Sequence, residues 1–428
     1  MVGLTTWTKM DLEQISKEFK PGKSHYDIPA TMPARVVSKN TVGSLNTELK
    51  QVSVPEIGCD EALIAVMSAG VNFNTVWTAK GEPVSTFDFL KRLSLTSNPK
   101  SSHNLDYHIP GSDASGFIVK LGTEDTVWKV GQEVVVNCNW HRNDDTEIYN
   151  DSMLSDEQKI WGYETNFGSF AAFSVVKIHQ LMQRPNHLSW SESSSYSLVL
   201  CTAYRMLLSD NGYRINSNDD VLIWGGAGGL GLSAIQLCNL VGANPIPVVS
   251  DDNKGEFLKK NLNVKDYINR KDEGLNFWKN DNHNLIAWKK LSSILKKRFN
   301  GHVDIVFEHP GQDTMAASIY ALKKGGKVVT CAATTGYEIS YDHRYLWMDS
   351  KSILGCHFAN PFESKKANNL IIQDKIKPFV SSRFEFSETD LALEKFYKNS
   401  GFGKVVINVL NDSQNDSFSD SNLFKTDG

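Results

Sequence analysis

Residues 219–250 read DDVLIWGGAGGLGLSAIQLCNLVGANPIPVVS, and this stretch decides the fold. It opens on a short apolar run, Val221-Leu222-Ile223-Trp224, that ends in glycines and suits a buried parallel strand. Gly226-x-Gly228-x-x-Gly231 follows, with Ala227, Gly229 and Leu230 in the variable positions. Leu232, Ile235, Leu237 and Leu240 then recur at helical spacing, and Ile246 to Val249 read as a second strand. Strand, glycine turn, helix and strand make a βαβ unit. In that context the glycines mark a dinucleotide site: they let the backbone turn tightly and approach a pyrophosphate, which sits at the helix N-terminus.

The whole chain narrows the class. Its 428 residues point to two or three domains, or two large ones. Hydrophobic residues at 40% and charged residues at 22% belong to a globular protein with a sizeable core. A formal net charge of −4 provides no basic footprint, which argues against nucleic acid as a partner. No apolar run approaches the roughly eighteen residues of a membrane span. The N-terminal MVGLTTWTKMDLEQISKEF lacks a secretory apolar core. Cys59, Cys138, Cys201, Cys238, Cys331 and Cys356 are scattered without a CxxC pair, so reduced thiols and a cytoplasmic location are expected.

Along the chain, residues 1–30 read as an N-terminal extension with one amphipathic helix marked by Leu12, Ile15 and Phe19. From Ala34 short apolar runs separated by turns indicate a β-rich region, with Ala62 to Met67 its clearest strand. The polar, acidic residues 141–161 are expected to form a surface excursion, and Ser191 to Leu208 a connecting helix. Beyond the βαβ unit come a helix over Asn253 to Leu262, a strand over Asp266 to Asn269 and an insert over 271–300 that turns helical at Leu285 to Phe299. A strand at Val303 to Phe307, a helix at Thr314 to Leu322 and a strand at Gly326 to Cys331 continue the alternation of a doubly wound parallel sheet. Past Gly355 the chain is expected to return to the first domain, and the Ser/Asp/Asn-rich tail from Asn411 to be disordered.

This arrangement resembles the medium-chain dehydrogenase/reductase superfamily, which implies an α/β fold with a GroES-like β-rich catalytic domain and a Rossmann domain. The implied boundaries are 31–204 with 357–410 for the first, 205–356 for the second, and 411–428 for the tail. Zinc alcohol dehydrogenases of that group carry a cysteine turn, a Gly-His-Glu motif and a four-cysteine loop. Here Asn72-Phe73-Asn74 and Pro110-Gly111-Ser112-Asp113 stand at the first two places, serine replaces the histidine, and the cysteine loop is missing. No compact Cys, His or carboxylate set remains at those positions, so no metal is expected there. A narrower resemblance runs from Lys39 to Ile407. GVNFNTVWTAKGEPVSTF, GYETNFGSFA, TAYRML, WGGAGGLG, FEHPG, TTGYEISYDHRYLWM and GCHFAN are similar to segments of crotonyl-CoA carboxylase/reductases, zinc-free enoyl-thioester reductases.

That resemblance implies a chemistry and its residues. Hydride delivered to the β-carbon of an enoyl-CoA leaves an enolate, which attacks carbon dioxide and yields an alkylmalonyl-CoA such as ethylmalonyl-CoA. Asn74 then supplies an amide donor to a carbon dioxide oxygen, Glu164 and His357 hold a water on the other oxygen, and Tyr163 stands at an aromatic position that acts through its backbone. Taken singly, Asn74 also fits an Asx turn, His357 a structural histidine and Glu164 a solvated carboxylate. Their joint occurrence in three separate matching segments carries the assignment.

The implied cofactor is NADPH. Asp251, about twenty residues beyond Gly231, is where an acid would hold the ribose hydroxyls of NAD. The family usually has Ser-Ser where this chain has Ser250-Asp251, whereas Lys254 and Arg270 suit a 2′-phosphate. Arg344 matches a position contacting coenzyme A phosphates, with Lys296, Lys297 and Arg298 as further candidates or a merely solvated basic face. Family inference also implies a homotetramer, or dimer of dimers. A plain enoyl-CoA reductase, a quinone reductase and a non-catalytic dinucleotide-sensing protein are the competing readings. The set of Asn74, Glu164 and His357 argues against each.

Overall fold

A computed structural model describes residues 12–96, 103–141, 151–279, 282–398, 401–411 and 416, and the chain divides into two compact units. One comprises residues 1–198, 360–372 and 378–428; the other comprises residues 199–359 and 373–377. His357 therefore belongs to the second unit, and Asn74, Tyr163 and Glu164 to the first.

The second unit is built on six parallel strands, Asp220–Ile223, Asn244–Val249, Ile268–Asn269, Val303–Glu308, Leu322–Thr330 and Ser352–Gly355. Taken as first to sixth along the chain, they lie in the order third, second, first, fourth, fifth, sixth. This is the doubly wound arrangement, and its order reverses between the first and fourth strands, where such sheets open a ligand crevice. The inner strand Asp220–Ile223 is buried throughout, as a sheet covered on both faces requires. The insert at 271–300 is part of this cover. Its helix, Leu285–Arg298, buries Trp288, Leu291 and Leu295 in the same core as Leu222, Ile246 and Val306.

The first unit is organised around Glu61–Gly70, every residue of which is buried. It pairs antiparallel with Asp113–Leu121, Phe173–Lys177 and the returning strand Lys404–Asn408. A second sheet sets Thr31–Ser38 between Glu48–Ser53 and Tyr107–His108.

Three expectations are corrected. The helix expected over Ser191 to Leu208 is broken into Trp190–Ser193 and Ser197–Leu208. In the gap Ser194 Oγ donates to Ser191 O (3.0 Å) and Ser195 Oγ to Glu192 O (2.8 Å), so serine hydroxyls take carbonyls that a continuing helix would use. The surface excursion expected over 141–161 lies partly outside the described residues, and its later part is packed inward: Asp151, Ile160 and Trp161 are buried. The tail was expected to be disordered, yet Asp416 is buried and accepts from Trp190 N and Ser191 N, as an acid does at a helix start. The other residues beyond Asn411 lie outside the described residues, as do residues 1–11 of the expected extension.

Candidate active site

In the second unit, the glycine turn joins the first strand to the helix Gly229–Val241, so Gly226, Ala227 and Gly228 form the turn and Gly229, Leu230 and Gly231 the first helical turn. Close packing explains the glycines. A Cβ on Gly226 would meet Pro247 Cβ at 2.5 Å, and one on Gly231 would meet Gly225 O at 2.4 Å. Gly225 has φ +59°, and a Cβ there would meet His309 Nε2 at 2.8 Å. The glycines are thus required by tight packing of the turn against its own unit, which keeps the turn close at the helix N-terminus where a pyrophosphate can be bound.

Beyond the second strand, Asp251 caps the helix Asp252–Leu262 by accepting from Lys254 N at 3.0 Å. Ser250 Oγ donates to Asp251 (3.0 Å) and accepts from Lys254 Nζ (3.2 Å), so the acid is already engaged within the protein. Burial lowers the Lys254 pKa, and the charges of Lys271 and Arg270 lower it further against the opposing pull of Asp251. Three cations therefore gather beyond the second strand, while the carboxylate is turned to the helix end. The residues fit a phosphorylated dinucleotide.

The fourth strand ends in Glu308-His309-Pro310-Gly311 beside this loop. His309 Nε2 lies 3.0 Å from Trp224 O, and burial holds its pKa below the ordinary value, so the neutral ring donates through Nε2. Glu308 is fully buried and accepts from Gly311 N (3.0 Å), Thr314 Oγ1 (2.8 Å) and Ser318 Oγ (2.5 Å). Burial nonetheless outweighs these donors and pushes its pKa up to about 7. His357 follows the sixth strand. Its ring keeps accessible surface, yet the packing around it and then the Arg205 charge hold its pKa below that of an ordinary histidine.

In the first unit, Asn74 lies in the first turn of the helix Phe73–Lys80, and its Nδ2 sits 2.8 Å from Ser112 Oγ. Asn74 Oδ1 is buried without a protein partner among the described residues. Next to Ser112, Gly111 N donates to Gly162 O at 3.2 Å, which brings in the turn carrying Tyr163 and Glu164. That turn is held from behind: buried His108 bridges Thr86 Oγ1 (2.9 Å) and Thr165 O (3.1 Å), with its pKa pushed down to about 4 by burial. Glu164 Oε2 accepts from Ile160 N at 2.8 Å, and burial raises the carboxyl pKa over the opposing effects of that bond and Lys159. The Tyr163 ring packs at 6.3 Å from Trp77 and 6.0 Å from Phe89, so aromatic surface flanks these polar groups. Asn74, Tyr163 and Glu164 are thus linked through one run of contacts.

Of the cations considered for coenzyme A, Arg298 is committed elsewhere: it bonds Asp266 (2.9 Å), Glu273 (3.3 Å) and Tyr267 O (2.6 Å). A guanidinium held by two acids and a carbonyl ties its helix to the segment leading into the third strand. Arg344 forms a forked pair with Asp342 (2.7 Å for Nη2) while its side chain stays 74% exposed, and Lys296 is exposed.

Family models match both units. An alcohol dehydrogenase GroES-like domain covers residues 58–186, and a zinc-binding dehydrogenase domain covers residues 229–373. A crotonyl-CoA reductase of Streptomyces avermitilis is 44% identical over 364 residues, covering 85% of this chain and 82% of the relative. A crotonyl-CoA carboxylase/reductase of Cereibacter sphaeroides is 41% identical over 406 residues, covering 91% and 89%. The chain belongs to the crotonyl-CoA carboxylase/reductase family. A solved 2-octenoyl-CoA carboxylase reductase, in complex with NADP and 2-octenoyl-CoA, superposes with a TM-score of 0.86 at 35% identity, over 92% of this chain and 90% of that one. In this member of the crotonyl-CoA carboxylase/reductase family, Ser112 bonds Asn74. Among the described residues, no group of three or more His, Cys, Asp or Glu side chains is placed to hold a metal ion.

Sequence reasoning quoted FEHPG only as a family marker and missed what Glu308 and His309 do. The buried acid in an apolar strand end was the available signal. It read Ser112 only as a missing histidine and did not weigh Lys271, the third cation beside Lys254.

Proposed function

We propose that this protein catalyses NADPH-dependent reductive carboxylation of a 2-enoyl-CoA, giving a 2-carboxyacyl-CoA and NADP. Bound NADPH supplies the hydride that adds to the β-carbon of the thioester. The electron pair of the C=C bond moves to the α-carbon and the thioester oxygen, and the α-carbon bonds to the carbon of carbon dioxide, whose oxygens take the charge as a carboxylate. Atoms and charge balance without a further reactant.

The observation that carries this reading is the buried Asn74 amide with one end unpaired, tied through Ser112, Gly111 and Gly162 to the Tyr163-Glu164 turn. A preorganised donor in a desolvated place stabilises oxygens on which charge develops. Glu164 and His357 are proposed as water-holding groups, each from the geometry of its own unit. Glu164 has one oxygen bonded to Ile160 N, and His357, with its lowered pKa, is neutral near pH 7 and free of a proton to donate to an enolate from a cationic ring. Tyr163 contributes its backbone and its ring's packing.

The cluster of Lys254, Arg270 and Lys271 supports NADPH over NADH, with the glycine cradle for the pyrophosphate. Arg344, with Lys296 beside it in rank, is proposed for coenzyme A phosphates, Arg344 exchanging Asp342 for phosphate. The edge strand Ser352–Gly355 exposes Ile353, and Trp347 and Met348 are exposed before it, which supports a homo-oligomer; the homotetramer is proposed from the family resemblance. All six cysteines are free thiols, which supports the cytoplasm, and no described helix is long and apolar enough to cross a membrane.

The test is product analysis by mass after incubation with crotonyl-CoA and NADPH, with and without bicarbonate plus carbonic anhydrase. Ethylmalonyl-CoA dominating with carbon dioxide supports the proposal. Butyryl-CoA under both conditions reduces the protein to an enoyl reductase.

A further inference from the structure

The Asn74 amide raises a question of orientation. With Nδ2 facing Ser112 Oγ at 2.8 Å, Asn74 Oδ1 is buried and unpaired among the described residues. The Ser112 side chain is itself fully buried, and its hydroxyl accepts from Asn74. In that arrangement, among the described residues, the hydroxyl proton has no acceptor and the amide oxygen no donor. Rotating the amide by half a turn about its terminal torsion exchanges two atoms of nearly identical shape. The Ser112 hydroxyl then donates to Oδ1 across the same separation, which gives the hydroxyl proton an acceptor and the amide oxygen a donor. What is left over is the Nδ2 pair of protons, a donor, which is what the oxygens of carbon dioxide or of a nascent carboxylate require.

The separation between the two residues is held from both sides. Asn72 Nδ2 donates to Asp113 Oδ2 at 2.8 Å, Lys404 Nζ bonds both Asn72 Oδ1 and Asp113 Oδ2 (3.1 Å to the latter), and Leu198 N donates to Asp113 Oδ1 at 2.8 Å. Asn72 and Asp113 flank Asn74 and Ser112 in sequence, so this buried network fixes the two backbones between which the hydroxyl and amide meet. Thr78 Oγ1 adds a bond to Asn74 O at 3.0 Å.

We infer that Ser112 is a positioning residue that sets the Asn74 amide, its hydroxyl donating to Oδ1 so that Nδ2 is the group offered to carbon dioxide. This rests on the carboxylating reading above. A serine at this place exchanges a metal-ligand position for control over which end of an amide faces the substrate. The consequence is selective: the choice between carbon dioxide and a proton at the α-carbon depends on Ser112, whereas hydride delivery does not.

The test measures the ratio of ethylmalonyl-CoA to butyryl-CoA, with the NADPH KM and the rate of NADPH oxidation, for the wild-type enzyme, Ser112→Ala, Ser112→Cys, Asn74→Ala and the double variant. Ser112→Ala is expected to lower the ratio about tenfold, the size of one lost orienting hydrogen bond, with NADPH oxidation changed less than about threefold. Ser112→Cys, close in volume and a weak donor, is expected to fall between them, and it serves if the alanine variant does not fold. In the Asn74→Ala background, loss of the hydroxyl should lower the ratio no further, because the group it orients is gone. An unchanged ratio in a folded Ser112 variant, or an additive loss in the double variant, overturns the inference. A wild-type enzyme that makes only butyryl-CoA overturns the carboxylating reading itself, a separate and recognisable result.

Discussion

His309 Nε2 lies 3.0 Å from the carbonyl oxygen of Trp224, which cross-links the ends of the first and fourth parallel strands where the sheet order reverses. The same nitrogen lies 2.8 Å from where a Cβ on Gly225 would be, so the imidazole backs the glycine loop. Removing it leaves a carbonyl without its donor and a space behind the cradle. His309→Ala should lower stability by about 1–3 kcal/mol and weaken NADPH binding. Fluorescence titration with NADPH checks this, and an unchanged Kd would show that the loop holds its shape without the ring.

Glu308 should make stability depend on pH. Its pKa is raised by burial from an ordinary 4.5 to about 7. Below pH 4.5 folded and unfolded chains both hold the proton, and the full contribution is present. Between pH 4.5 and about 7 only the folded chain holds it, so stability falls as pH rises and levels off above 7. The loss amounts to about 3 kcal/mol. Chemical denaturation of wild type and Glu308→Gln from pH 4.5 to 8 should show the wild type losing ground by about that amount, and a pH-independent difference would contradict it.

Cofactor preference should reside in Arg270. It is exposed and, with Lys271, depresses the Lys254 pKa, so it stands near the place assigned to the 2′-phosphate. Arg270→Ala should raise the NADPH KM about tenfold, the loss of one charge-assisted bond, and leave the NADH KM nearly unchanged. Equal effects on both cofactors would place the 2′-phosphate elsewhere.

Lys404 is the most exacting position in the first unit. Its side chain is 3% exposed and that of Asp113 is 0% exposed, and burial lowers the lysine pKa against the pull of Asp113. Replacing the lysine strands a buried carboxylate. Lys404→Met should cost about 3–5 kcal/mol, and the double variant with Asp113→Asn should recover part of it. Denaturation midpoints of the three proteins decide, and a single variant as stable as wild type would refute the coupling.

Arg298 and Arg344 should separate in kinetics. Arg298 is held by Asp266, Glu273 and Tyr267 O, whereas the exposed Arg344 has one half-buried acid as its partner. Arg298→Ala should leave the acyl-CoA KM within about twofold, and Arg344→Ala should raise it severalfold, since phosphate is a good partner for a guanidinium fork. The reverse order would reassign the phosphate site.

The sequence by itself determined whatever depends on neighbours along the chain. The apolar run before Gly225, the glycine spacing and the helical period after Gly231 each follow from local backbone conformation, so the βαβ unit and the parallel sheet were legible. So was the family, through segments such as FEHPG. Tertiary structure decided what joins distant residues. Asn74 and Ser112 are 38 positions apart, Lys404 and Asp113 291, and Asp416 reaches Trp190 over 226. No local pattern marks such pairs, because a hydrogen bond or ion pair of this kind forms only when packing has desolvated both partners and removed their alternatives. For the same reason a serine-rich run that looked helical is broken, an acidic stretch that looked superficial is packed inward, and Arg298 is spoken for within its own unit.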